Sequence, residues 1–163
     1  MTLKEPFKPE QVDREIPQAI RDAMLNCVLA WGSLDGALSM LLARVTGMSF
    51  SEAADTIGKD SGTVKLNKMR DAMLERGAND VAAAIRKHKK AYEKRIAPRN
   101  RIAHARVAGV WTKDPDYIVF AVFESHLTDQ LAIELVPIQE VRRSTHWATA
   151  MTAMALRIVD VAG

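Results

Sequence analysis

At 163 residues, with 48% apolar and 26% charged side chains, the chain is the size of one ordinary domain and has enough apolar content for a packed core, which excludes an intrinsically disordered protein. Its longest apolar stretch, Met24 to Val45, is interrupted by Asn26, Asp35 and Arg44, and its first ten residues lack the apolar core of a secretory signal. A soluble, cytoplasmic protein with no membrane-spanning segment is therefore expected. The one cysteine, Cys27, rules out an internal disulfide and a multi-thiol metal cluster; set among Met24, Val28 and Trp31, it reads as a buried thiol rather than a nucleophile.

The net charge of +3 is unevenly spread. Between Arg86 and Arg106 stand nine basic residues and one acid, Glu93, a local balance of +8 that leaves −5 for the rest of the chain. Such polarity points to an anionic partner.

Residues 1–12, with Pro6 and Pro9 and little apolar content, predict an extended N-terminal arm, followed by a single helical domain over 13–163. From Ile16 through Ile20, Met24, Val28, Trp31, Leu34, Leu38 and Leu41 to Val45, apolar residues recur at steps of three or four. That is one buried face of a long helix, which Gly47 is placed to end. Ser49 and Glu52 have the form of a capping box for a short helix through Ile57, closed by Gly58. Asp60 or Ser61 can cap the next, which runs to about Arg76 before Gly77. Asn79 is expected to cap a long helix carrying Val81, Ile85, Tyr92 and Ile96, which kinks or restarts at Pro98.

Beyond Gly109 the period drops to two. Tyr117 to Phe123 and the alternating Leu131, Ile133 and Leu135, with a turn at Lys113-Asp114-Pro115-Asp116, predict a small antiparallel sheet over residues 107–136. Pro137 then opens a last helix with Ile138, Val141, Ala148, Met151, Ala155 and Ile158 on its stripe. The expected fold class is mainly α: a helical bundle with long first, motif-bearing and last helices and a β insertion before the last.

Within the basic segment, Arg99-Asn100-Arg101-Ile102-Ala103-His104 places an arginine and a polar residue ahead of a histidine near the end of a long helix. This resembles the R-x4-6-H motif of the HEPN superfamily, helical-bundle domains of which many are metal-independent ribonucleases, and Asn100 matches the polar residue that commonly follows the motif arginine. The resemblance implies an endoribonuclease or RNA-processing domain, with Arg99, Asn100 and His104 as its catalytic residues and no metal or organic cofactor. It also implies a homodimer that brings two motifs together across a two-fold axis.

The residue chemistry suits that reading on its own terms. Cleaving RNA through its 2′-hydroxyl needs a group that moves a proton and a cation that offsets charge on the phosphoryl oxygens. An imidazole exchanges protons near neutrality, and a guanidinium can fork two donors onto a phosphate. In a regular helix Asn100 and His104 nearly superpose, whereas Arg99 and His104 lie roughly 140° apart. Three explanations stay open: Pro98 distorts the segment, the Arg99 side chain reaches round, or Arg101 serves as a secondary candidate for the cation.

Lys89, Lys90 and Arg95 are candidate nucleic-acid contacts or, equally, a solvated helix face. A non-catalytic module binding RNA, a nucleotide or an acidic partner is the alternative, and an antitoxin-like protein is a possible partner. His88, His126 and His146 are dispersed without metal-ligand spacing. Trp31 reads as core, Trp111 and Trp147 as core or interface. Asp35, alone in an apolar stripe, is expected to face solvent or to pair with a motif arginine.

Overall fold

The computed structural model describes residues 8–122 and 132–161. Pro6 of the expected arm, Phe123 and Leu131 of the expected strands, and His126 lie outside them. The described chain is mainly helical, with α1 (Gln18–Thr46), α2 (Phe50–Ile57), α3 (Gly62–Glu75), α4 (Asn79–Arg95), α5 (Ala97–His104) and α6 (Ile138–Val161). A small antiparallel sheet joins β1 (Val12–Asp13), β2 (Arg106–Trp111), β3 (Asp114–Val122) and β4 (Ala132–Pro137), in that spatial order. The residues form two compact units, one drawn from those up to Leu29 and from Ala97–His146, the other from Ala30–Ile96 and from Trp147 onward. Both α1 and α6 contribute to each.

The first unit holds the sheet. Consecutive side chains on a strand point to opposite faces. Ile118, Val119, Phe120 and Ala121 of β3 are all buried, so both faces of this strand are covered. The N-terminal segment takes part: Pro9–Gln11 form a single 3-10 turn and Val12 and Asp13 pair with Trp111 and Val110, so the expected arm of residues 1–12 is a strand at its inner end. Gly109 makes that pairing possible. Its φ is +152°, and a Cβ there would stand 2.0 Å from the Asp13 carbonyl oxygen. The hairpin turn is Thr112 and Lys113 rather than Lys113 to Asp116. Pro115 instead enters the start of β3, where the register is irregular and its missing N–H costs no ladder bond.

The second unit is helical throughout its described residues. Ser49 accepts from the Glu52 N–H while the Glu52 carboxylate accepts from Ser49, the expected capping box of α2. Ser61, not Asp60, caps α3, and Asp60 binds Lys68 at 2.5 Å. Asn79 does not cap α4: it is the first helical residue, and Ala78 in the cap position makes no side-chain bond. Gly47 and Gly77 leave their helices with φ of 74° and 72°, whereas Gly58 stays helical. Trp31 and Trp147 stack at 5.6 Å between ring centroids, and Tyr92 meets Trp31 edge-on at 5.0 Å.

By length and composition α1 could cross a membrane. Its stripe, however, is occupied within the protein, with Cys27, Trp31, Leu34, Leu38 and Leu42 all buried. Asp35 on this helix neither stands alone in solvent nor meets an arginine. It accepts from Lys65 Nζ at 2.8 Å, and the Lys65 side chain is fully buried while that of Asp35 is 45% exposed. Lys65 also reaches the Asp35 carbonyl oxygen at 3.4 Å. Removing Asp35 strands the buried ammonium. Asp35→Ala is expected to lower the unfolding free energy by about 2 kcal/mol in urea titration, and adding Lys65→Met to recover most of that loss.

Candidate functional site

The motif residues are set by the break between α4 and α5. Ile96 closes α4 with its N–H on the Tyr92 carbonyl, and α5 begins at Ala97 with Pro98 in its first turn, where the absent N–H has no helical acceptor to lose. Of the kink or restart expected at Pro98 the chain makes a restart, at Ala97, so the motif stands on a separate eight-residue helix and not near the end of the long helix expected. From there α5 runs unbroken to His104.

Arg99 lies half-buried and Asn100 and His104 are exposed. Arg99 Nη1 donates to Asn100 Oδ1 at 3.2 Å. Asn100 and His104 are four apart and share a helix face, and the Arg99 guanidinium bonds to the first of them. A guanidinium has five donors, and one bond to Asn100 leaves the fork able to take a phosphate.

Arg101 is committed elsewhere. Its Nε and Nη2 donate to the two carboxylate oxygens of Glu134 on β4, a bidentate clasp. The Glu134 hydrogen bonds, with further help from Glu140, hold the Arg101 guanidinium above its ordinary pKa. The secondary candidate for the phosphate-binding cation is thus the tie between the motif helix and the sheet. Glu134 was not singled out as a site residue from the sequence; the one signal for it is that it is the sole charged residue of β4.

A buried polar cluster stands beside the motif. Cys27 Sγ lies 3.8 Å from Ser144 Oγ on α6. Burial pushes the thiol above its ordinary pKa, against the hydroxyls of Thr145 and Ser144 and the nearby charge of Arg99. Cys27 is fully buried and predominantly protonated at neutral pH, in keeping with the inert thiol expected from its neighbours. Among the described residues no group of three or more His, Cys, Asp or Glu side chains is placed to hold a metal ion.

Lys89, Lys90 and Arg95 belong to α4, in the other unit. Lys89 pairs with Glu93 at 3.4 Å, one turn along the same helix, while Lys90 and Arg95 are exposed. Trp111 of β2 meets Tyr117 edge-on at 5.9 Å, with the Lys113 ammonium over its ring. Comparison with protein-family models, with curated proteins and with solved structures finds no match to this chain.

Two outcomes follow from this arrangement. Arg101→Met or Glu134→Gln should each destabilise the protein by about 1 kcal/mol, modest because the pair is a third exposed. Since the Arg101 pKa is raised on folding, its contribution is complete below the ordinary guanidinium pKa and is lost only as pH rises through the higher folded value, so urea midpoints should show no change from this group between pH 6 and about 9. Cys27, in turn, should resist a thiol reagent at pH 8 in the folded protein and react stoichiometrically in denaturant.

Proposed function

We propose that Arg99, Asn100 and His104 form an RNA-cleaving site of the HEPN-like, metal-independent kind. The observation that carries this reading is the bond from Arg99 Nη1 to Asn100 Oδ1, which links the motif cation to the residue stacked one turn from His104. Arg99 would fork onto the non-bridging oxygens of a phosphodiester as they gain charge, Asn100 would orient the guanidinium or the imidazole, and His104 would move the proton. Attack by the 2′-oxygen on phosphorus breaks the bond to the 5′-oxygen, leaving a 2′,3′-cyclic phosphate and a 5′-hydroxyl. One imidazole can serve the attacking or the leaving oxygen, and a second copy of the chain supplies the other role; the site is therefore proposed to work in a homodimer. Lys89, Lys90 and Arg95 add sequence-independent attraction for the phosphate backbone. The proposed setting is the cytoplasm, where an antitoxin-like protein could restrain the activity.

A second reading keeps the anion-binding role without turnover. The exposure of His104 at the very end of α5 favours it, because proton transfer works best in a site that excludes water. The same helix would then bind RNA, a nucleotide or an acidic protein partner.

Cleavage of a fluorescent RNA in the presence of EDTA separates the two. The first reading expects turnover that His104→Ala and Arg99→Ala each reduce by about 100-fold or more, with binding largely retained by His104→Ala. Equal activity in wild type and His104→Ala, or none in either, would defeat catalysis. If binding persists without cleavage, falls steeply with salt, and responds to neutralising Lys89, Lys90 and Arg95 more than to His104→Ala, the second reading holds.

A further inference from the structure

Independently of RNA, the second unit contains a cavity of about 300 Å³ lined by α1, α3, α4 and α6. Protein interiors are close-packed, with few voids larger than a water molecule, whereas ligand pockets begin at about this volume. Each helix contributes a stripe at helical spacing: Leu38 and Val45 from α1, Met69 from α3, Ile85 from α4 and Met151 from α6 are among them. Among the described residues every one that lines it is apolar except His88 of α4.

The position of that residue decides the ligand's chemistry. His88 is half-buried and flanked in sequence by Arg86, Lys87, Lys89 and Lys90, of which Lys89 pairs with Glu93, and the one other acid of α4 is Asp80 in its first turn. The polar side chain on this otherwise aliphatic lining, as far as the described residues go, therefore stands in the most positive stretch of the chain, which favours a negative head group there over a neutral one. Leu38 and Val45 are seven residues apart, about 10 Å along a helix, the reach of a saturated chain of roughly eight carbons. Met69 and Met73 on α3 and Met151 and Met154 on α6 supply adaptable side chains suited to a flexible tail. We propose that this cavity binds a medium-chain aliphatic carboxylate, with the carboxylate at His88 and the chain among Leu38, Met69, Ile85 and Met151.

The test titrates the full-length protein with octanoate and decanoate, and with decanol as the uncharged match, by calorimetry and by tryptophan fluorescence. Trp147, one turn before Met151 on α6 and stacked on Trp31, is the internal reporter. Decanoate should bind saturably below its micellar range with one site per chain and shift the fluorescence. Decanol, and decanoate with His88→Leu, should each bind about ten-fold more weakly, the loss of one charge-assisted hydrogen bond. Ala84→Phe, at an exposed lining position where folding tolerates bulk, should abolish decanoate binding while leaving the circular dichroism spectrum unchanged. Absence of saturable decanoate binding, equal affinity for decanoate and decanol, or unchanged affinity in His88→Leu and Ala84→Phe would each overturn the proposal. So would a dimer in gel filtration that Ala84→Phe converts to monomer with no effect of decanoate, since a second copy would then close the cavity.

Discussion

The clasp between Arg101 and Glu134 is the interaction on which the candidate site depends. An eight-residue helix is too short to be stable by itself, and α5 must be held by tertiary contacts. A bidentate guanidinium–carboxylate pair fixes both the position and the rotation of such a helix, because its two parallel bonds admit one orientation of the arginine plane. With Arg101 turned to β4, Asn100 and His104 stand on an exposed face and Arg99 bonds to Asn100. Three neighbouring basic positions thereby have separate tasks: one anchors, one is placed beside the polar residue of the motif, and the histidine ends the helix exposed.

The anchor is only as rigid as the strand that carries it. Glu134 lies opposite Phe120 on β3, the strand buried on both faces, and that central strand is held by β2 on its other side. β2 is in turn edged by Val12 and Asp13, an approach that Gly109 permits. A residue without a side chain near one end of the sheet and an acid near the other thus serve the same helix.

Most of the fold was legible in the sequence, because the helical elements repeat apolar residues at steps of three and four, β4 alternates, and β3 is a short continuous apolar run of β-branched and aromatic residues buried on both faces. The α1 and α6 stripes, the capping box at Ser49 and Glu52 and the restart at Pro98 all express local rules that act within a few residues. The features that escaped are those settled over long sequence separations. Nothing near Val12 announces a partner a hundred residues on; nothing beside Asp35 marks Lys65; and Arg101 looks like a better cation than Arg99 until Glu134 is seen to take it. Asn79 was misread for a different, local reason. A favourable capping residue does not cap when the chain enters the helix one residue earlier. The motif itself was visible as a spacing, while the pairing of Arg101 with Glu134 is settled by the sheet.

The charge of the chain divides likewise. The basic run reads as one feature along the sequence, yet Lys89, Lys90 and Arg95 belong to one unit and Arg99 to Arg106 to the other, so the run serves two local environments. The most direct measurement is an NMR titration of the protein with a short RNA whose cleavable 2′-hydroxyl is replaced by hydrogen, following the side-chain resonances of Arg99, Asn100 and His104. All three should shift together with one dissociation constant, and in Glu134→Gln, where α5 loses its anchor, that constant should weaken about ten-fold. Shifts confined to the α4 lysines, with the three motif residues unmoved, would contradict the assignment of the site to α5.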